Sequence, residues 1–134
     1  MDVLEQIGNT GIVPVVVIEN AEDAADAAKA LFDGGINLIE ITLRTPAGIE
    51  AIRNIRKKVP EMLVGAGTVL NLDKCKEAVD AGAQFIVSPG INSEIVRWCI
   101  EKQMTVIPGC VTPTEIDTAL SFGLKVLKFF PAEV

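Results

Sequence analysis

Leu38-Ile39-Glu40-Ile41-Thr42, followed by Leu43-Arg44-Thr45-Pro46 and a stretch running to about Lys58, holds the unit from which the whole chain is built. The five residues to Thr42 form a strand-length run that is nearly all apolar. Such a run expects cover on both faces, which is the habit of a parallel sheet. Thr45-Pro46 predicts a helix start with Thr45 as the cap, because proline at the first helical position lacks only an N–H that has no helical partner there. Ile49, Ile52 and Ile55 then recur at helical spacing, and Pro60 stops the helix.

Outward from this unit the pattern repeats. Ile12–Ile18 precedes it, and Met62–Ala66, Phe85–Ser88, Thr105–Pro108 and Val126–Phe130 follow, with centres ~20–25 residues apart. Helices are expected between them. Asn20 opens Ala21–Asp33, whose Ala24, Ala27, Ala28 and Leu31 share a face, and Gly34-Gly35 closes it. Asn71 opens the helix through Ala81, with Gly82 after it. Asn92 or Ser93 opens the one through Lys102. Thr112-Pro113-Thr114-Glu115 has the spacing of a capping box, and Gly123 ends that helix. Six β runs alternate with five helices over 134 residues, which predicts one α/β domain spanning 1–134. Right-handed crossovers leave an open doubly wound sheet or a (β/α)8 barrel. The first strand-to-helix loop lacks Gly-x-Gly-x-x-Gly, which counts against a dinucleotide fold.

Composition removes several function classes. With 12 basic and 18 acidic residues the net charge is −6, the wrong sign for a general nucleic-acid binder. The longest apolar run, Ile12–Ile18, falls far short of the ~18 residues of a membrane span. Asp2 and Glu5 stand where a signal peptide needs basic residues. The chain has no His, so Ser-His-Asp and Cys-His nucleophile systems are excluded in their usual forms. Cys75, Cys99 and Cys110 form no Cys-x-x-Cys, which fits a reducing, cytoplasmic setting. With no His and no clustered Cys, only carboxylates could hold a metal, and none form a motif. Chemistry must come from Lys, Arg, Glu, Asp, Ser or Thr.

In either α/β fold functional groups collect at the C-terminal ends of the strands. There the chain places Glu40, Thr42 and Arg44, then Gly65-Ala66-Gly67-Thr68, then Ser88-Pro89-Gly90, then Pro108-Gly109-Cys110, then Lys128 with Phe129, Phe130 and Pro131. Lys128 is bracketed by Val126, Leu127, Phe129 and Phe130, so it is expected to be poorly solvated. A lysine of ordinary pKa, about 10.4, is uncharged only about once in 2,500 at pH 7. A nucleophilic amine therefore needs desolvation and a nearby cation, a part Arg44 could play. The other reading is a lysine reaching solvent, or paired with Glu133 or Glu40. Glu40 is either a proton-exchanging carboxyl inside a barrel or a carboxylate held by Arg44 or Lys128. Arg44 can bind a substrate carboxylate through two parallel hydrogen bonds, or be a surface charge. The Gly65-x-Gly67 pair lets backbone approach a ligand, or is a tight turn. Pro89-Gly90 and Pro108-Gly109 read mostly as turns. Cys110 has no His to activate it, and Trp98 and Met104 read as packing.

Four segments stand in a recognisable order: Glu40-Ile41-Thr42-Leu43-Arg44, Val64-Gly65-Ala66-Gly67-Thr68-Val69, Ala81 to Gly90 (AGAQFIVSPG) and Leu127-Lys128-Phe129-Phe130-Pro131-Ala132-Glu133. On these the chain, from about Ile12 onward, resembles the 2-keto-3-deoxy-6-phosphogluconate (KDPG) aldolase / 4-hydroxy-2-oxoglutarate aldolase family. The resemblance implies a metal-independent class I aldolase on a (β/α)8 barrel, usually a homotrimer. It cleaves a 2-keto-4-hydroxy acid to pyruvate and an aldehyde, with no cofactor beyond a covalent lysine imine. By that likeness Lys128 forms the imine and Glu40 moves protons, Arg44 and Thr68 hold the pyruvate carboxylate, and Pro89 and Phe130 line the pocket wall. A (β/α)8 barrel takes ~200 residues or more. Six strands therefore imply that the last two βα units are absent, leaving open edges and an uncovered core. A longer gene product, a truncation, or an assembly that supplies the strands from another copy would account for this. The pyruvyl half of the site is expected without the distal phosphate half. Two alternatives are a non-catalytic scaffold of the same ancestry and another TIM-barrel enzyme for a phosphorylated ligand, though the second leaves the strand lysine unexplained.

Overall fold

Asp2 starts the first element of the computed structural model, which describes residues 1–133; residue 134 of the expected domain lies outside the described residues. The Asp2 side chain accepts from the Glu5 N–H at 3.0 Å and caps α1 (Val3–Thr10), and Gly11 ends it with a positive φ of 75°. This helix was not among the five expected. Its signal was short but present: an acidic cap, Glu three residues on, and a glycine stop.

The remaining elements follow the expected alternation. They are β1 (Val15–Val16), a 3-10 turn and α2 (Ala24–Asp33), β2 (Leu38–Thr42), α3 (Gly48–Lys58), β3 (Leu63–Gly67), α4 (Leu72–Asp80), β4 (Phe85–Ser88), α5 (Ser93–Glu101), β5 (Thr105–Cys110), α6 (Pro113–Ser121) and β6 (Lys128–Phe129). All neighbouring strands pair in parallel, in sequence order. Asn71 and Asn92 cap α4 and α5, and the Thr112/Glu115 capping box forms as read. Thr45 does not cap. Its hydroxyl donates to the Ile18 carbonyl, tying the β2–α3 loop to the segment just past β1, and α3 begins only at Gly48 without a side-chain cap. A tertiary bond took the hydroxyl that local sequence assigned to the helix.

The pleat divides the core in two. Ile39, Ile41, Val64, Ala66, Ile86 and Val106 face outward against the helices, where Ala24, Ala28, Ala51, Ile52 and Ile55 meet them fully buried. Alanines on that face let α2 and α3 lie close on the sheet. The alternate positions Leu38, Leu63, Phe85, Val87 and Ile107 face inward and form a second cluster, onto which α1 lays Val3, Leu4 and Ile7. The sheet is curled: Val15 on the first strand and Lys128 on the sixth line the same pocket.

Cover on both faces, expected of every strand, holds for β2, β3 and β4, in which each residue is buried. It does not hold at the edges, where β1 and β6 are two residues long and Val15 and Phe129 are 51 % and 57 % exposed. An edge strand has a neighbour on one side only, so apolar side chains there lack the second wall. Among the described residues no helix is long and apolar enough to cross a membrane.

Candidate active site

Alternation along β2 sends Leu38, Glu40 and Thr42 to the concave face and Ile39 and Ile41 to the helices. Glu40 is therefore a carboxyl on an apolar inner surface, 4 % exposed. Among the described residues no ion pair within 4 Å includes it, Lys128 or Arg44; the pairs present are exposed ones within α2, α3 and α4. Burial pushes the Glu40 carboxyl above its ordinary value of 4.5, while the charges of Lys128 and then Arg44 pull the other way. Desolvation thus outweighs the two cations.

Lys128 opens β6 and sits in register with Gly109 of β5. It is half-buried and lines an open pocket of about 220 Å³ with Val13, Val15, Glu40, Phe85, Val87 and Ile107. Its Nζ lies 4.5 Å from the centroid of the Phe130 ring. The apolar surroundings differ from those expected. Val126, Phe129 and Phe130 are exposed, because β6 is an edge strand of two residues with no neighbouring strand on its outer side. The walls around Lys128 come instead from the first, fourth and fifth strands, and the inward positions Val13, Val15, Val87 and Ile107 were not singled out from sequence. Period-two alternation in each run would have found them.

The other candidates gather around this pocket. Arg44 is exposed just past β2, and its Nε donates to the Thr68 hydroxyl at 3.3 Å. Thr68 follows β3 with φ at 54°, the left-handed region that few non-glycine residues adopt, which presents its hydroxyl to Arg44. Pro89 follows β4 half-buried, and its carbonyl oxygen lies 2.0 Å from where a Cβ on Gly109 would stand. It therefore abuts the register partner of Lys128. Of the six candidates, Glu40 and Lys128 line the pocket; Arg44 bonds Thr68, Pro89 abuts Gly109, and Phe130 lies against Lys128.

The two glycines of Gly65-Ala66-Gly67 were expected to bring backbone near a ligand. Their open space is taken by the protein itself: a Cβ on Gly65 would meet the Phe85 ring at 2.2 Å, and one on Gly67 would meet Glu40 Oε2 at 1.9 Å. Cys110 is buried, and burial followed by the charge of Glu115 raises its thiol above the ordinary 9.0, so it is a poor nucleophile. Among the described residues no three Cys, Asp or Glu side chains cluster to hold a metal ion. The pocket offers a primary amine and a protonatable carboxyl on apolar walls, with a guanidinium and a hydroxyl at the rim. That set can condense with a carbonyl carbon, exchange protons beside it, and bind an anion close by.

Comparison with known proteins gives a consistent result. Residues 3–134 match the aldolase family described as KDPG and KHG aldolase. The 2-dehydro-3-deoxy-phosphogluconate aldolase of Treponema pallidum is 46 % identical over 132 residues, covering 98 % of this chain and 63 % of that protein. The crystal structure of 2-keto-3-deoxy-6-phospho-gluconate aldolase from Zymomonas mobilis superposes with a TM-score of 0.92 at 41 % identity, over 99 % of this chain and 64 % of the other. KDPG aldolase from Legionella pneumophila, solved with pyruvate captured at low pH as a covalent carbinolamine intermediate, gives 0.87 at 40 % identity, over 90 % and 59 %. The chain thus spans less than two thirds of the length of these relatives. Sequence and backbone agree over nearly all of its own length, and the chain belongs to the KDPG and KHG aldolase family.

Proposed function

We propose that this chain carries the pyruvyl half of a class I aldolase site that acts on KDPG or 4-hydroxy-2-oxoglutarate. The observation that carries the reading is that Glu40 and Lys128, four strands apart in the sheet, line one apolar pocket. Lys128 Nζ attacks C2 of the keto acid to give a carbinolamine, which loses water to form a protonated imine as Glu40 moves protons through water. Glu40 takes the proton of the C4 hydroxyl as the C3–C4 bond breaks. The bonding pair flows to the iminium, leaving an enamine and a free aldehyde. Glu40 returns a proton to C3, and water then releases pyruvate and the amine. The raised pKa of Glu40 suits a group that must both accept and donate. Arg44 and Thr68 hold the pyruvate carboxylate, and Pro89 and Phe130 flank the reacting carbons. No metal enters these steps.

The same reading places the chain in the cytoplasm and in a homotrimer. It places the six strands in a (β/α)8 barrel, whose last two βα units would bind the distal phosphate or carboxylate. Pyruvate imine formation is then the activity these residues support by themselves, with cleavage of the phosphorylated substrate weaker. The test is incubation with pyruvate, reduction with borohydride, and location of the adduct by mass. Modification at Lys128, absent in Lys128→Ala, is the expected result. A folded but unmodified protein overturns the aldolase reading in favour of a non-catalytic scaffold.

A further inference from the structure

The concave face of β3 is almost bare. Leu63 belongs to the inner cluster, and the next two inward positions are Gly65 and Gly67. Three glycines of the inner face each leave room for a different group. A Cβ on Gly65 would meet the Phe85 ring at 2.2 Å, one on Gly109 the Pro89 carbonyl oxygen at 2.0 Å, and one on Gly67 Glu40 Oε2 at 1.9 Å and Cδ at 2.6 Å. None of these approaches is tolerable, because real Cβ contacts essentially never fall below 3.0 Å.

What must yield differs among the three. Phe85 is fully buried, and the Pro89 oxygen is backbone, so neither can step aside without moving a strand. The atoms over Gly67 belong to one flexible side chain, Glu40, from its carboxylate back to Cγ at 2.9 Å. A methyl group there would be accommodated by swinging the carboxylate away, and the sheet would stay as it is. Register shows where that carboxylate lies. Glu40 is paired with Gly65, and Thr42 with Gly67. Instead of resting over its own partner, the carboxylate reaches one full pleat further, about 6–7 Å along the strand, toward the end where Thr68 and Arg44 stand.

We propose that Gly67 is a positioning residue: its missing side chain is the seat that holds the Glu40 carboxylate extended toward the C-terminal end of the sheet, beside the pocket that Lys128 lines. The seat is steric, but its consequence for catalysis rests on the aldolase reading. Imine formation needs Lys128, and the extent of adduct reached at completion is not set by the seat, which affects only how fast protons move at the carbinolamine. Exchange of the pyruvate methyl hydrogens does need the seat. The imine must give up a proton from C3 to Glu40, passing its electron pair to nitrogen as the enamine, and then take back a deuteron from the exchanged carboxyl.

The experiment compares the wild-type chain with Gly67→Ala in deuterated water, following borohydride trapping at Lys128 and hydrogen exchange into pyruvate. Trapping at completion is expected to stay within about twofold while exchange falls by about 10²-fold, the low end of what a positioned acid–base group contributes. Exchange within about twofold of wild type in Gly67→Ala overturns the seat. Absent trapping in the wild-type protein would instead remove the aldolase reading. Should Gly67→Ala fold poorly, a stability cycle decides. Glu40→Ala removes Cγ, Cδ and Oε2, the three atoms that a Cβ on Gly67 would meet, so the Tm lost on Gly67→Ala should be largely recovered when both substitutions are present. An equal loss in the Glu40→Ala background overturns the proposal.

Discussion

Two halves of one concave surface behave differently. Toward the N-terminal ends of the strands it is filled by Leu38, Leu63 and Phe85, with α1 pressed onto it through Val3, Leu4 and Ile7. Toward the C-terminal ends it carries Glu40, Thr42, Gly67 and Lys128. Phe85, Val87 and Ile107 belong to both, as the top of the apolar plug and the floor of the pocket. The plug therefore has two effects. It holds the curled sheet together, and it gives Glu40 the dry surroundings that raise its pKa. Along β2 the plug and the pocket stand two residues apart, at Leu38 and Glu40.

Phe85 is where that separation can be broken most severely. It is the largest fully buried side chain, and Gly65 opposite offers nothing to fill the space it would leave. Phe85→Ala should cost about 3–5 kcal/mol in urea denaturation, the usual range for an aromatic removed from a core. A cost below about 1 kcal/mol would mean that the plug is not what supports the sheet.

Glu40→Gln probes the upper half and should show the opposite pattern. Methyl hydrogen exchange into pyruvate should fall by about 10²–10⁴ while the Lys128 adduct still forms. Stability should move the other way. Because the folded pKa of Glu40 lies above the unfolded value near 4.5, the native state binds more protons than the unfolded state as the carboxyl titrates. Wild-type stability is then favoured by protonation below pH 4.5 and falls as pH rises through the folded pKa. Glutamine carries no such charge. The variant should be the more stable protein at pH 7 by urea midpoint, and the difference should shrink as pH approaches 4.5. An equal stability gap at both pH values would show that Glu40 is not held in a desolvating site.

How much of this was legible depended on whether a residue's partner was close in sequence. β2 and β4 were readable to the residue, since both faces of each are buried and the apolar runs are continuous. Asn71, Asn92 and Thr112 cap as expected because their bonds span two or three residues. Thr45 was misread because its partner, Ile18, lies 27 positions away. The shortness of β1 and β6 was equally hidden, since their runs resemble the central ones and only the sheet shows which strands are edges. At the site, Glu40 and Lys128 stood out as charges inside apolar runs. The purpose of Gly65 and Gly67 did not, because the groups that occupy their space, Phe85 and the Glu40 side chain, are set by register.

The smallest expected effect tests how dry the upper half is. Thr42 is 0 % exposed, and its hydroxyl finds no hydrogen-bond partner among the described residues. A buried hydroxyl without a partner loses its hydration and gains nothing for it, so removing it should not weaken the fold. Thr42→Val keeps the branched shape and should be neutral to stabilising, by up to about 1 kcal/mol in urea denaturation. A loss of about 1 kcal/mol or more would show the hydroxyl to be bonded in solution, and the upper half would then be a polar network and not a dry extension of the plug. Glu40 sharpens the choice, because burial lifts its carboxyl two positions from Thr42 on the same face, and both residues are buried.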